Sequence, residues 1–449
     1  MNEHDSERLT GLLERDGYEA TSLLEEADVV VLNTCCIREN ADNKLYGTLG
    51  QLKSLKKHKP SLRIAVGGCL AQKDGDKLRE RADHVDVVFG TYNLHRLSEL
   101  LERSNLYGPV TEIWDRPAET TIPALSLPKR SKRSHSAWIA IQTGCNNSCS
   151  FCIVPKVRGR EISRPFEEVL QDIADQAAAG VVEITLLGQN VNSYGRDLTG
   201  RKPLFADLLR EIGKIEGIKR VRFTSPHPKD LRPETIDAIA ETPNVCEQLH
   251  LPLQSGSNRV LAAMRRGYTA ERYLERLEAA RRRIDDLAVT TDIIVGFPGE
   301  TEKDFEDTLA VVAAANYDSA YTFIFSPRPG TRAAEMKDQF LPPDVVTDRF
   351  NRLLMVTERS ALERNESRIG RVEEVLIDAL DKRPNVQGAQ SSLGFVGRTR
   401  QGKLVHLVGS TPRAPILVGS LVNVRINAAG PHHLQGELLD IVHNGNSLS

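Results

Sequence analysis

No stretch of this chain is apolar over the roughly 18 residues that a membrane-spanning helix needs. Aromatic residues make up only 5% of the 449 residues, and the net charge is only -2. The first eight residues, Met1 to Arg8, are polar and acidic, which is not the pattern of a secretory signal. A chain of this length has room for about two to four domains. These features predict a cytoplasmic enzyme and argue against a membrane protein or a secreted one.

Cysteine is scarce and unevenly placed. The seven cysteines are an odd number, which argues against a disulfide framework and for metal ligation in a reducing compartment. Three of them, Cys145, Cys149 and Cys152, lie within eight residues in a C-x3-C-x2-C pattern. A cubane iron–sulfur cluster normally takes four cysteines, so a loop with three leaves one iron open to bind a small molecule. The alternative is a loop with three structural or free thiols.

Strands and helices alternate in the first part of the chain, residues 1–115. Predicted strands cover Ala27–Leu32, Ile64–Val66 and Val85–Phe89, and predicted helices cover residues 5–15, Glu39–Lys57 and Ala71–Ala82. This alternation predicts an α/β fold with a doubly wound parallel sheet. A linker rich in Pro, Ser and Thr follows at residues 116–136.

Six apolar strands separated by helices define the second part, residues 137–367. The strands are predicted at Trp138–Ile141, Val182–Leu187, Val221–Phe223, Gln248–Leu251, Val289–Val295 and Tyr321–Phe325. They predict a partial (β/α)6 barrel whose functional residues lie at the C-terminal ends of the strands, and the cysteine loop follows the first strand. Helices are predicted at Pro165–Ala178, with Pro165 in the first turn, at Glu302–Ala315 and at Asp344–Glu363. Residues 368–443 hold short apolar runs split by turn residues, which predicts a small β-barrel.

Polar motifs follow four of the predicted barrel strands. The candidate cofactor-binding residues in them are Gly188, Gln189 and Asn190 after the second strand, Ser225 after the third, Gln254 after the fourth and Gly296 after the fifth. Each motif alone is more often an ordinary turn, but their coincidence with the cysteine loop favours a binding site. His227 and His250 stay open between a hydrogen-bonded framework role and a direct role.

Two more cysteines, Cys35 and Cys69, follow predicted strands of the first part and could meet at one edge of the sheet. Buried free thiols are common, so this position alone does not establish metal binding. Charge is also uneven: residues 1–115 hold 15 Lys+Arg against 20 Asp+Glu, whereas residues 368–443 hold 9 against 6. Basic residues also gather at 129–133 and at Lys156, Arg158 and Arg160. Such patches can neutralise phosphates, and the alternative is ordinary solvated surface.

The cysteine loop resembles that of radical S-adenosylmethionine (SAM) enzymes, in which the open iron binds SAM, and Phe151 fits the aromatic position of that loop. Together with the other motifs, the chain resembles the methylthiotransferase family of these enzymes. The further motifs are Asn-Thr-Cys-x-Ile-Arg-Glu at 33–39, Gly-Gly-Cys-Leu-Ala-Gln at 67–72, Leu-Leu-Gly-Gln-Asn-Val-Asn at 186–192 and Pro-Leu-Gln-Ser-Gly at 252–256. The resemblance covers the whole chain and implies a methylthiotransferase domain, a radical SAM core and a C-terminal TRAM domain.

The resemblance implies two 4Fe-4S clusters. Cys145, Cys149 and Cys152 would hold the SAM-binding cluster, and Cys35 and Cys69 an auxiliary one, while Cys36 and Cys246 would not be ligands. Family members carry a third auxiliary cysteine in a Gly-Cys-Gln-Met-Asn stretch, and this sequence starts inside that stretch. We therefore expect an upstream strand and cysteine to be encoded before Met1, because the auxiliary cluster otherwise lacks a ligand.

The motifs at residues 38–41 and 225–228 favour the branch that modifies isopentenylated adenosine in tRNA. The implied reaction is methylthiolation of C2 of that base at position 37, with SAM as methyl donor and radical source. The implied partners are the tRNA anticodon stem-loop and a reducing donor such as flavodoxin or ferredoxin, and the expected state is a monomer. The alternatives are a methylthiotransferase acting on threonylcarbamoyl-adenosine or on a ribosomal protein, and a non-enzymatic iron–sulfur RNA-binding protein.

Overall fold

The computed structural model describes residues 1–35, 39–115, 135–381, 394–407 and 417–445, without the side chains of residues 39–42. The linker residues 116–134, Cys36 and Arg38 therefore lie outside the described part. The chain divides into two compact units. The first unit holds residues 1–132, 142–147 and 152–164, and the second holds 133–141, 148–151 and 165–449.

The first unit is built on a parallel sheet. Its elements are α1 (Asn2–Arg15), β1 (Val29–Thr34), α2 (Glu39–His58), β2 (Arg63–Gly68), α3 (Cys69–Asp74), α4 (Asp76–Arg81), β3 (Val87–Phe89), α5 (Leu97–Tyr107), β4 (Val110–Glu112), β6 (Gln142–Thr143), α6 (Val154–Arg158) and β7 (Ile162–Ser163). The described residues form four parallel strands in the order β1-β2-β3-β4, and β6 pairs with β7 in a separate antiparallel ribbon.

The strand β2 shows why helices cover both faces of this sheet. Ile64 and Val66 point into one apolar cluster with residues of α2, α3 and α6, whereas Ala65 points into another with residues of α1 and α5. Successive strand residues face opposite sides, so an unbroken apolar strand must be covered on both. The predicted doubly wound parallel sheet is confirmed.

Two details of this unit differ from the sequence prediction. The single helix predicted at Ala71–Ala82 is two helices, because Gly75 adopts φ +50° between α3 and α4. The edge strand β4 was not predicted, because its three residues are half-buried and only Val110 is strongly apolar.

The second unit contains the six predicted barrel strands. Its strands and main helices are β5 (Ser136–Ala140), α7 (Phe166–Ala178), β8 (Glu183–Leu187), α8 (Arg196–Thr199), α9 (Phe205–Ile212), β9 (Arg220–Phe223), α10 (Pro233–Glu241), β10 (Gln248–His250), α11 (Asn258–Ala263), α12 (Ala270–Arg283), β11 (Ala288–Val295), α13 (Glu302–Ala315), β12 (Ser319–Ile324), α14 (Arg332–Glu335) and α15 (Pro343–Glu366). Parallel pairing joins β5, β8 and β9 in one sheet and β10, β11 and β12 in another, and a parallel bridge between Val221 and Val245 lies between the two sheets.

The predicted strands and helices of this barrel agree with the structure to within a few residues at each end. Pro165 is an exception, because it precedes the helix with an extended ψ of 140° instead of lying in the first turn. The predicted helix at 302–315 begins with a capping box between Thr301 and Asp304, which satisfies two free amides of its first turn. No helix in the described ranges is long and apolar enough to cross a membrane.

The last part of the second unit is a closed β-barrel, as predicted. Its described strands are β13 (Val372–Asp381), β14 (Gly394–Thr399), β15 (Leu404–Leu407), β16 (Leu421–Ala429) and β17 (Leu434–His443). They close in the order β13-β14-β15-β17-β16. Inward residues such as Val375, Val405 and Val424 are fully buried and form its core.

Candidate active site

The cysteine loop begins at a turn that requires glycine. Gly144 has φ +75°, and a Cβ there would lie 1.9 Å from the carbonyl oxygen of Arg160. This close approach lets the amide of Cys145 donate to the carbonyl of Gly159 at 3.0 Å. The amide of Asn147 in turn lies 3.5 Å from the Cys145 sulfur. The backbone therefore fixes the first cysteine of the pattern within the first unit.

The middle of the loop is anchored within the second unit. Ser150 donates its amide to the carbonyl of Met264 at 3.0 Å and accepts from the amide of Ala333 at 2.9 Å. Phe151 packs against the apolar cluster that contains Met264 and Phe297. Phe151 therefore fixes the loop by packing. Cys145, Cys149 and Cys152 form no disulfide among the described residues and are only partly buried.

A buried arginine contacts the Cys149 sulfur. The Arg266 guanidinium donates to Cys149 Sγ at 3.3 Å, to the Tyr268 hydroxyl at 3.1 Å and to the Pro252 carbonyl at 3.4 Å. Arg266 is only 6% exposed, and its hydrogen-bond partners among the described residues include no carboxylate. Burying a cation without an anionic partner is costly, so the sulfur is the natural counter-charge. A thiolate that ligates an iron–sulfur cluster fits this position.

Within the described ranges, no three His, Cys, Asp or Glu side chains are grouped to hold a single metal ion. The assignment of an iron–sulfur cluster to the cysteine loop rests on its C-x3-C-x2-C spacing and on the buried Arg266 beside Cys149.

The motif after β8 is held in place by buried hydrogen bonds. Gly188 is buried, and Asn190 donates to Asp230 Oδ2 at 2.9 Å. Asn192 both donates to the carbonyl of His227 and accepts from its amide, at 3.0 and 2.9 Å. The side-chain oxygen of Gln189 is buried without a hydrogen-bond partner among the described residues. An unmet buried acceptor costs free energy, so this atom is a candidate contact for a ligand.

The two histidines left open by the sequence differ. His250 lies between Thr290 Oγ1 at 2.9 Å and Asp292 Oδ2 at 3.3 Å, which makes it a framework residue. His227 accepts from the Lys229 amide through Nδ1, and its buried Nε2 has no hydrogen-bond partner in the described part. Burial, and then the nearby Arg266, lowers the pKa of His227 to about 2. His227 is therefore neutral and presents a free Nε2–H donor.

Two residues at the ends of barrel strands adopt an uncommon backbone conformation. Ser225 has φ +59° and Gln254 has φ +70°, although neither is glycine. Such strain costs about 1–3 kcal/mol each and often marks a functional site. Gln254 is buried and donates its amide to the carbonyl of Asp292 at 2.8 Å. Gly296 is also buried, and its amide donates to Glu300 Oε2 at 2.9 Å.

Cys35 and Cys69 lie at the same edge of the first unit's sheet. They directly follow Thr34 and Gly68, the last residues paired between β1 and β2. Gly68 has φ +93°, and a Cβ there would lie 2.5 Å from the Thr34 carbonyl, so the turn into α3 requires glycine. The structure therefore brings together the two cysteines that the sequence singled out, while Cys36 lies outside the described residues.

Arg158 corrects one prediction from charge. The sequence grouped it with basic residues that could bind phosphate, but it is buried and donates to Asp5 Oδ2 at 2.6 Å and to Cys69 Sγ at 3.3 Å. Burial alone would lower the pKa of Arg158, but Asp5 and Cys69 raise it above its usual value. Lys156 and Arg160 are exposed, so phosphate binding stays a prediction for these two residues.

The basic residues of the C-terminal barrel are also largely paired. Five of its six described Lys and Arg residues form ion pairs: Arg368 and Arg371 with Asp286, Arg398 with Asp378, Arg400 with Glu247 and Lys403 with Asp318. Four of these pairs join the barrel to the rest of the second unit. Among the described residues, most basic side chains of the barrel therefore dock it within this unit.

Sequence reasoning missed Asp5, Arg158 and Arg266. Arg158 ends α6 and Arg266 lies in the turn after α11, each directly before a glycine, and only their burial reveals their role. The stretch Met264-Arg265-Arg266-Gly267-Tyr268 carries no signal that separates the buried Arg266 from the exposed Arg265.

The chain matches the Uncharacterized protein family UPF0004 over residues 1–90 and the Radical SAM superfamily over residues 139–312. Among solved structures, the radical S-adenosylmethionine methyltransferase TsrM from Kitasatospora setae has a TM-score of 0.55 and 16% identity. The match covers 74% of this chain and 72% of that one, and it shows a similar fold.

Curated relatives match almost the whole chain. A protein from Acidothermus cellulolyticus called tRNA-2-methylthio-N(6)-dimethylallyladenosine synthase is 52% identical over 97% of this chain and 85% of its own length. Proteins of the same name from Parafrankia sp. and Mycobacterium bovis are 50% and 49% identical, each over 97% of this chain, and the matches cover 87% and 84% of those proteins.

Proposed function

This chain belongs to the tRNA-2-methylthio-N(6)-dimethylallyladenosine synthase family, and we propose that it methylthiolates C2 of N6-isopentenyladenosine at position 37 of tRNA. The observation that carries this function is the 52% identity across 97% of the chain. The product is 2-methylthio-N6-dimethylallyladenosine. The enzyme is a radical SAM enzyme, and its cofactors include SAM and a 4Fe-4S cluster.

The chemistry explains why such a cofactor is needed. The C2–H bond of adenine is not activated for ordinary acid–base chemistry. A 4Fe-4S cluster with bound SAM supplies a carbon-centred radical that can remove this hydrogen, and the protein binds, orients and shields the reactants. Cys145, Cys149 and Cys152 are the ligands we assign to this cluster, because three cysteines leave one iron free for SAM.

The strand-end motifs supply a hydrogen-bond donor and a hydrogen-bond acceptor to the proposed cofactor site. His227 offers a donor at Nε2, and Gln189 offers an acceptor at Oε1, both buried at the C-terminal ends of barrel strands. We assign Gly188, Asn190 and Ser225 to the same cofactor site, together with Gln254 and Gly296. Because His227 is neutral, it can donate to an anionic or carbonyl oxygen without carrying a charge into the buried site.

Cys35 and Cys69 are the ligands we assign to a second, auxiliary 4Fe-4S cluster associated with the sulfur that is transferred. The register of β1 and β2, which sets both cysteines at one edge, supports this assignment. Arg158 supports it as well, because it donates to Cys69 Sγ from a buried position, as expected beside a thiolate.

The C-terminal barrel has the size and closed topology of a TRAM domain, and we assign it to tRNA binding together with the exposed Lys156 and Arg160. A small acidic redox protein such as flavodoxin or ferredoxin is the electron donor we expect, and we expect the enzyme to act as a monomer.

A substrate comparison tests this function. Purified protein, reconstituted anaerobically with iron and sulfide, is incubated with SAM, dithionite and one of three substrates. These are an anticodon stem-loop RNA with N6-isopentenyladenosine, the same RNA with threonylcarbamoyl-adenosine, and a ribosomal-protein substrate. Mass spectrometry should find methylthiolation of the first alone, together with 5′-deoxyadenosine. Methylthiolation of either other substrate would support the corresponding alternative, and RNA binding without 5′-deoxyadenosine would support a non-enzymatic role.

A further inference from the structure

Arg266 is a cation buried beside a proposed cluster ligand, and the proposed reaction does not explain why it lies there. Arg266 is 6% exposed and donates to Cys149 Sγ, to the Tyr268 hydroxyl and to the Pro252 carbonyl. The Tyr268 hydroxyl itself donates to the carbonyls of Pro252 and Leu253 at 3.0 and 2.9 Å. The guanidinium is therefore fixed at three points around the Cys149 sulfur.

Two arginines of the described part donate a hydrogen bond to a cysteine sulfur, and they differ in their counter-charge. Arg158 contacts Cys69 but is neutralised by Asp5 at 2.6 Å. Arg266 has only neutral oxygens besides Cys149 as hydrogen-bond partners in the described part of the chain. Its positive charge is consequently available to whatever negative charge Cys149 carries.

A fixed positive charge acts on the reduction of a cluster. One-electron reduction adds a negative charge and makes no new bond, and a nearby buried cation stabilises the reduced state more than the oxidised one. Hydrogen bonds to ligand sulfurs act in the same direction, since they withdraw electron density from the cluster.

We propose that Arg266 is a positioning residue that holds the Cys149 sulfur and makes the cluster of Cys145, Cys149 and Cys152 easier to reduce. This inference rests on the proposed function, because it assumes a cluster on those cysteines. The residue acts through Cys149 and needs no contact with SAM or RNA. Its link to Pro252 also connects the cluster ligand to the strand-end motif that contains Gln254.

The test is a potentiometric titration followed by electron paramagnetic resonance. The background protein carries Cys35→Ala and Cys69→Ala, so that a signal comes from the cluster of the loop alone. Arg266→Gln removes the charge but keeps a donor of similar shape. Arg265→Gln is the matched control, since Arg265 is the adjacent residue and is exposed. Iron and sulfide content is measured for every sample, and dithionite is the reductant.

We expect Arg266→Gln to lower the equilibrium constant for one-electron reduction at least tenfold, which is a shift of about 59 mV to a more negative midpoint. Arg265→Gln should keep the background midpoint. An unchanged midpoint in iron-loaded Arg266→Gln would overturn the proposal. If Arg266→Gln does not retain iron, Arg266→Met is measured instead, because it removes the charge and fills the buried site with an apolar chain of similar length. A more negative midpoint in Arg266→Met supports the proposal, and the background value overturns it.

Failure of the proposed function and failure of the role of Arg266 give different results. If the chain with all its cysteines assembles no reducible cluster, the proposed function fails and this inference fails with it. If it assembles the cluster and cleaves SAM, but the midpoint potential is the same with and without Arg266, then only the proposed role of Arg266 is wrong.

Discussion

Changing Asp5 to asparagine removes the carboxylate that neutralises the buried Arg158. The two side chains are 3% and 8% exposed, and the Arg158 Nη2 to Asp5 Oδ2 distance is 2.6 Å. The same guanidinium donates to Cys69, a proposed cluster ligand. The pair therefore connects the first helix to the segment that follows the cysteine loop, within one unit.

The expected cost follows from this burial. Breaking a buried ion pair by removing one partner costs about 3–5 kcal/mol, because the remaining charge is left uncompensated. We expect this cost for Asp5→Asn and for Arg158→Met alone. The double variant leaves no unpaired charge, so its cost should fall below the sum of the single costs by about 2 kcal/mol or more.

The assay uses the two tryptophans of the chain. Trp114 belongs to the first unit and Trp138 to the second, so Trp138→Phe leaves a fluorescence reporter in the first unit. Urea unfolding of the iron-free, reduced protein gives the free energy of unfolding for each variant. Asp83→Asn is the control, because Asp83 forms an exposed pair with Lys53 in the same unit at 2.8 Å. Exposed pairs contribute about 0–1 kcal/mol.

Two results would refute this reasoning. A single-variant cost as small as that of Asp83→Asn would mean that the buried pair does not stabilise the unit. Additivity of the single costs to within about 0.5 kcal/mol would mean that Asp5 and Arg158 act independently.

Three further predictions address the second unit. Cys149→Ala should abolish both SAM cleavage and iron-dependent SAM binding. The control Cys246→Ala changes a buried thiol outside the motifs and should retain both. A normal yield of 5′-deoxyadenosine from Cys149→Ala would contradict the ligand assignment. Arg220→Met should lower the free energy of unfolding by about 3 kcal/mol, because the fully buried Arg220 donates to Glu374 and to the carbonyl of Arg398. The control Arg398→Met changes an exposed side chain and should cost under about 1 kcal/mol. Burial depresses the pKa of His227, so below pH about 6.5 the unfolded state binds a proton that the folded state cannot take up. As the pH falls below that value, the free energy of unfolding of the native protein should therefore decrease more steeply than that of His227→Asn, by about 1.4 kcal/mol per pH unit. Equal slopes would contradict a neutral His227.

The strands were predictable because their apolar runs are bounded by turn residues. The local sequence pattern alone predicts the six barrel strands and the helix at 302–315. The shared position of the two cysteines after β1 and β2 follows from the rule that parallel strands end at one edge of the sheet. Short polar elements such as β4 carry no comparable signal, and the break at Gly75 depends on one backbone angle.

The charged residues show where sequence pattern fails. Arg158 and Asp5 are 153 residues apart, and Arg266 and Cys149 are 117 apart, so neither partnership leaves a local trace. A charge count treats all basic residues alike, although burial decides whether they face a phosphate, a carboxylate or a sulfur. This explains why Arg158 and the C-terminal barrel looked more available to RNA than they are.

The same ion pairs change how tRNA binding should be tested. Deleting residues from 368 onward would uncover Arg220 and Arg222, which bind Glu374 and the carbonyls of Thr399 and Arg400. A loss of RNA affinity in that truncation would therefore mix lost contacts with lost stability. Charge reversal at the exposed Lys156 and Arg160 avoids this, since neither is buried.

Nucleoside analysis of cellular tRNA tests the central claim most directly. A strain that lacks this gene is complemented with the native sequence or with Cys149→Ala, and the digested tRNA is examined by mass spectrometry. The account predicts 2-methylthio-N6-dimethylallyladenosine with the native sequence, and accumulated N6-isopentenyladenosine in the deletion strain and with Cys149→Ala. Unchanged 2-methylthio-N6-dimethylallyladenosine in the deletion strain, or full restoration by Cys149→Ala, would contradict it.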